Sequence, residues 1–250
     1  MLQFRIIKLD AISSTNDYLK SRASSGLCSL GDVVVAKHQT QGRGQRDKVW
    51  LVEDGQNLTF SAFWEASNFR AKDQFLLTMA VSLAVVKCLQ SFKIPDLKIK
   101  WPNDIMAGNF KIGGILIENS LQGTMIENAV IGIGINVNQY SFQGIPHASS
   151  LRQQTGKSYD INHVLAICLE EFRSFFEHPD ELYEPELLKA YNQHLYGMDK
   201  GVMLEIDSQR MIAKIVGVTL DGIPQLEDEK GLPISTAGKD FKFIYSTHSS

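Results

Sequence analysis

Hydrophobic and polar positions along the chain alternate between two periods. Phe4 to Leu9 and Val33 to His38 are short, β-branched and apolar runs, and Leu58 to Trp64 is another. Such runs read as buried strands. From Gln74 to Phe92 the period changes: Phe75, Leu76, Met79, Leu83, Val86 and Leu89 recur at helical spacing, which predicts a long core-facing helix. Strand patterns return over Lys98 to Trp101, where Pro102 stops the run, then over Lys111 to Glu118 and Met125 to Ile135. Gln122-Gly123 closes the last two into a hairpin, and Ala107-Gly108-Asn109 is a turn. Helices are predicted from Tyr18 to about Ala23, behind the capping residues Ser13 to Asp17, and over Ile161 to Phe176 and Pro185 to Leu195.

The pattern shifts near Tyr196-Gly197. Short strands follow at Val202 to Ile206, Ile212 to Leu220, Gly222 to Leu226 and Phe241 to Tyr245, with Asp221-Gly222 as a hairpin turn. The chain therefore reads as an α+β domain over residues 1–196, its mixed or antiparallel sheet flanked by helices, and a small C-terminal β-barrel over 197–250.

Composition narrows the classes. With 250 residues, 44% of them hydrophobic, the chain can bury a sizeable core. A net charge of −3 gives no global basic field for nucleic acid. The three cysteines, Cys28, Cys88 and Cys168, are far apart and form no C-x-x-C pair, which argues against a disulfide framework or zinc site. No long apolar run marks a leader or membrane span. A soluble cytoplasmic protein is expected, with no protein-bound metal, since the histidines show no metal-ligand spacing.

Four blocks carry chemistry. Gly42-Arg43-Gly44-Gln45-Arg46-Asp47-Lys48-Val49-Trp50 combines backbone freedom, three cations and an aromatic ring, which suits an anion and a flat base. By itself a glycine-rich loop is more often only a surface turn. Lys100-Trp101-Pro102-Asn103-Asp104 reads as readily as a plain strand exit; otherwise Asp104 could hold a phosphate region or orient an attacking amine, with Lys100 and Asn103 on the same floor. Lys111 begins a strand whose Gly113 and Gly114 let a ligand or backbone approach; the alternative is an edge-strand lysine that blocks aggregation. Gly132-Ile133-Gly134-Ile135-Asn136-Val137-Asn138 alternates glycines along a strand, as close packing against a helix also would. Ser14-Thr15-Asn16 is first a helix cap, and Gln39 a strand-end glutamine. Phe60 and Trp64 read as core, and Asn138 as structural.

In this order and at these separations the blocks resemble the biotin protein ligase family, from about Ser14 to the C-terminus. The resemblance implies the class II synthetase-like biotin/lipoate ligase catalytic fold with a small C-terminal SH3-like barrel. It implies ATP, biotin and magnesium as ligands, biotinoyl-AMP as intermediate, and the apo form of a biotin carboxyl carrier protein as partner. It assigns the biotin end to Ser14, Thr15, Asn16, Gln39, Gly42, Arg43, Lys111, Gly113, Gly114 and Leu116, with Ile117 beside Leu116 as a wall. The nucleotide falls to Arg43, Arg46, Lys48, Trp50, Asn103, Lys111 and Asn136, and the catalytic candidates are Lys111, Asp104 and Arg43. Members often carry an N-terminal helix-turn-helix. Here the first block starts at Ser14, so a ligase without repressor activity, nucleic acid or membrane partner is expected, as monomer or homodimer. One position departs: Gln45 stands where the family has a second arginine that helps retain the adenylate. A lipoate or octanoate ligase, or a non-catalytic biotin or nucleotide binder, are the alternatives.

Overall fold

The structure, a computed structural model, describes residues 2–45, 48–66, 69–177, 184–198, 200–236 and 241–244. Its framework is a seven-stranded sheet. The strands are β1 (Arg5–Ile12), β2 (Asp32–Gln39), β3 (Leu58–Glu65), β4 (Leu97–Lys100), β5 (Asp104–Ala107), β6 (Phe110–Gln122) and β7 (Met125–Ile135), in the spatial order β1-β2-β3-β7-β6-β5-β4. Only β1 and β2 run parallel, because α1 (Thr15–Ser24) crosses between them; every other neighbouring pair is antiparallel. Gln122 pairs with Met125, so Gly123, at φ 63°, supplies the left-handed residue of the tight β6–β7 turn.

Strand alternation sorts side chains to the two faces. Val33, Phe60, Ala62, Trp64, Ile131, Ile133 and Ile135 face α2 (Gln74–Gln90) and α4 (Ile161–Glu177), with α5 (Glu184–Gln193) behind α2. Here Trp64 is 1% exposed, edge-on to Phe69 and tilted against Phe175. Removing such a ring would cost roughly 3–5 kcal/mol. Val34, Phe63 and Val130 face the other way, onto Leu19 of α1. Beyond α1 that second face lies open, and there the site forms.

Helix α2 is apolar on nearly all sides, since it is enclosed by the sheet, α4 and α5. With the short turn before it, Ala71–Gln90 is long and apolar enough to cross a membrane. The expectation of no such run therefore fails on length, but the helix spends its apolar surface on the core.

A second, five-stranded antiparallel sheet holds β8 (Gly201–Ile206), β9 (Gln209–Val218), β10 (Pro224–Glu227), β11 (Pro233–Ile234) and β12 (Phe241–Phe243), ordered β11-β10-β9-β8-β12. Its two edges do not pair among the described residues, so the expected barrel is an open sheet here. Leu204, Ile206, Ile215, Val218 and Leu226 join the main core. The Trp101 indole donates to Gly222 O at 2.9 Å, tying this sheet to the end of β4. Four short elements escaped the sequence pattern: the helical turn Ala71–Asp73, β5, β11 and α3 (Leu151–Thr155). Each is too short to show a period.

Candidate active site

A cavity of about 710 Å³ opens on the free face of the large sheet. Register builds its floor. Thr59, Gly134 and Gly114 lie opposite one another across β3, β7 and β6, and Ser61, Gly132 and Leu116 form the next row. The glycines are required by what sits on them. A Cβ on Gly132 would stand 2.2 Å from Asn16 Oδ1, and one on Gly134 2.4 Å from the Trp50 indole.

One wall is neutral and polar. Ser14 caps α1, accepting from Asp17 N at 3.3 Å, so the helix starts at once and buries Thr15 and Asn16 against the sheet. Thr15 donates through its backbone N (2.7 Å) and Oγ1 (3.0 Å) to Gln39 Oε1. Ser61 Oγ lies 2.7 Å from Thr15 Oγ1 and 2.5 Å from Asn16 Oδ1.

The opposite wall is charged. Asp104, at the start of β5, sits between two cations: Lys111 Nζ is 2.5 Å from Oδ1 and Lys100 Nζ 3.4 Å from Oδ2. A bulge between Ile105 and Met106 re-aims the strand, so that Lys111 and Asp104 meet without being register partners. Lys111 Nζ also stands 5.5 Å over the Trp50 ring. Asn103 is spent on architecture, donating from Nδ2 to Ile115 O at 2.5 Å. Asn136 donates to Ser149 O at 2.9 Å. Both still line the cavity, and Lys242 and Phe243 of β12 reach its rim.

The glycine loop folds back on itself. Trp50 N donates to Gly42 O (2.8 Å) and Gly44 N to Lys48 O (2.6 Å). Close approach to Trp50 O leaves no room for a Cβ at Gly42. The Trp50 indole lies on the glycine floor with its buried Nε1 unpartnered. Arg43 points away from Lys111, to Asp17 Oδ1 at 2.5 Å and Glu118 at 3.0 and 3.2 Å. Glu118 also takes Lys20 Nζ and Asn16 Nδ2, each at 2.8 Å. Burial pushes its carboxyl up, but the Lys20 and Asn16 hydrogen bonds and the charges of Arg43 and Lys20 outweigh that and hold it below its ordinary value.

Ser14, Thr15, Asn16, Gln39, Arg43, Lys48, Trp50, Asn103, Asp104, Lys111, Gly114, Leu116 and Asn136 all line this cavity. Gly42 and Gly113 do not. Gly42 acts behind the lining as the loop's tight turn, and Gly113 faces Gly134 O and Ile105. Arg46 lies outside the described residues. Ile117 cannot wall the cavity beside Leu116, because adjacent strand residues point to opposite faces; it packs on the main core. Ser61, Thr59 and Glu118 were missed. The polar-apolar alternation Thr59-Phe60-Ser61-Ala62 carried a signal for the first two; nothing local marked Glu118.

Comparison with known proteins agrees with this geometry. Residues 9–136 match the biotin/lipoate A/B protein ligase family. The bifunctional ligase/repressor BirA of Bacillus spizizenii is 29% identical over 236 residues, covering 91% of this chain and 70% of its own length. The biotin--[acetyl-CoA-carboxylase] ligase of Mycobacterium tuberculosis is 26% identical over 238 residues, 93% of this chain and 85% of its own. Among solved structures, the biotin protein ligase from Aquifex aeolicus in complex with biotin and ATP superposes with a TM-score of 0.73 at 27% identity, covering 96% of this chain and 99% of that one.

Proposed function

Because this chain belongs to the biotin/lipoate A/B protein ligase family, we propose that it activates biotin with ATP and transfers it to a lysine of a biotin carboxyl carrier protein. The observation that carries this reading is the polarity of this cavity across its glycine floor. Ser14, Thr15, Asn16 and Gln39 line a neutral, hydrogen-bonding end, with buried Ser61 behind them, suited to an uncharged ureido ring. Lys111, Lys100 and Asp104 make a charged end suited to a carboxylate meeting a phosphate.

In the first step the biotin carboxylate attacks the α-phosphorus of ATP. The P–O bond to the β-phosphate breaks, giving biotinoyl-AMP and pyrophosphate. Lys111 Nζ faces the charge that builds on the pentavalent phosphorus. In the second step the carrier lysine, as free amine, attacks the acyl carbon and AMP leaves with the bonding pair. Asp104 orients that amine and takes up its proton. Magnesium is assigned to the triphosphate oxygens; among the described lining residues Asp104 is the one carboxylate, too few for a protein-held cation site. The name of the Mycobacterium tuberculosis relative supports a carboxylase carrier as acceptor. The reading gives these 250 residues no DNA-binding role, on their net charge of −3. It takes 1–196 as the ligase domain and 197–250 as an appended unit, on the two separate sheets.

The test is pyrophosphate release with biotin or lipoate as the acid, with and without magnesium. Release should need biotin, ATP and magnesium together. Equal turnover with lipoate would refute the substrate assignment, and binding of biotin without release would favour a non-catalytic binder.

A further inference from the structure

Glu118 does not line the cavity, yet it is the point where both sides of the neutral wall are fastened to the sheet. Asn16 and Lys20 stand one turn apart on α1, so their side chains share a face. Both reach the Glu118 carboxylate, Asn16 to Oε2 and Lys20 to Oε1. Arg43, at the base of the glycine loop, reaches both oxygens and shares its guanidinium with Asp17. One carboxylate on β6 thus fastens the first turn of α1 and the root of the loop. The Thr15–Gln39 contact lies between those two attachments.

Two carboxylates meet Arg43, whereas the cations at the charged wall, Lys111 and Lys100, meet Asp104. Asn16 is similarly committed: Nδ2 donates to Glu118 and, at 3.3 Å, to Leu116 O, while Oδ1 faces Ser61.

We propose that Glu118 is a positioning residue for the acid substrate: it holds the α1 turn and the loop root at the spacing the ureido end requires, with Arg43 as a loop anchor rather than a phosphate contact. The inference rests on the biotin reading for its ligand, and on the fold alone for its mechanics.

The experiment therefore has two readouts on Glu118→Gln and Glu118→Ala. Hydrogen exchange of the ligand-free protein should show faster exchange at the Gly42–Trp50 loop and the first turn of α1, more for alanine than for glutamine, since glutamine keeps an acceptor for Asn16. In steady state the KM for biotin should rise roughly 10-fold or more in Glu118→Ala, the loss expected for one charge-assisted hydrogen bond, and less in Glu118→Gln. The KM for ATP and kcat should stay close to wild type. Arg43→Ala should raise the same KM, and the double variant should be no worse than Glu118→Ala. Unchanged exchange at loop and helix would overturn the anchor. So would a fall in kcat with no change in biotin KM, or additive effects of the two alanines. An Arg43→Ala variant that loses ATP affinity instead would return Arg43 to the phosphate. A wild type that turns over lipoate in preference to biotin would sink the substrate reading, while the exchange measurement still judges the anchor.

Discussion

Replacing Lys111 by alanine separates chemistry from architecture. The side chain is 35% exposed, and its ammonium lies 2.5 Å from Asp104. Its backbone is held independently: Lys111 N donates to His147 O at 2.7 Å, and Ser149 N donates to Lys111 O at 2.9 Å. Both bonds survive the substitution. Asp104 keeps Lys100 at 3.4 Å, so no carboxylate is stranded. A partly exposed ion pair is worth at most about 1 kcal/mol, which for a chain of this size moves the melting temperature by roughly 2–4 °C. The kinetic cost is of another order. A unit charge about 4 Å from a phosphoryl oxygen contributes about 4 kcal/mol at an effective dielectric near 20. Removing one such preorganised partner slows the step by roughly 10²–10³-fold. The assay is single-turnover pyrophosphate release at saturating biotin and ATP, beside a thermal melt. Release at the wild-type rate would refute the role of Lys111. A collapse of the melt would refute the claim that its role is chemical. Asp104→Asn completes the separation: transfer from preformed biotinoyl-AMP to carrier should fall by about 10²–10⁴-fold, the range for a lost general base, and further than pyrophosphate release.

Other substitutions probe the remaining walls. Gly134→Ala should drive the Trp50 ring off the floor, cost about 1–3 kcal/mol as overpacking, and abolish adenylation; full activity would show that the floor need not be bare. Ser61→Ala strands Asn16 Oδ1 in a buried site, while Thr15 keeps Gln39, so stability should fall by about 1–3 kcal/mol with a rise in biotin KM, and a neutral melt would contradict that network. Gln45→Arg should slow escape of labelled biotinoyl-AMP about five- to thirty-fold, because a charge-assisted contact is stronger than a neutral one; equal release would mean glutamine retains the intermediate as well. Glu118 has a folded carboxyl below its ordinary value, so its stabilisation is present above the unfolded pKa and lost as pH falls through the folded one. The melting difference between wild type and Glu118→Gln should be visible at neutral pH and vanish in strongly acid solution.

The chain announced its strands and its long helices because a half-buried strand must alternate and a core helix must repeat every three to four residues. What sequence could not supply was partnership across distance. Arg43 carries its charge openly, but Glu118, which receives it, is 75 residues away and looks like any polar strand residue. Leu116 and Ile117 are equally apolar neighbours, and only the pairing of β6 with β7 decides which one faces the cavity. Gly42 and Gly113 show the same limit. A glycine in a motif signals that something comes close, without saying whether it is ligand or backbone.

The position of Trp50 makes the protein its own optical probe. Trp64 is sealed in the core, and Trp101 spends its indole N–H on Gly222. The Trp50 ring lies in the cavity itself, beside an ammonium and without a partner for its nitrogen. Any ligand that claims the glycine floor must lift that ring into a new dielectric. Trp101 lines the same cavity, so the change in emission comes from the rings at the site against a constant Trp64, and occupancy can be read without a label.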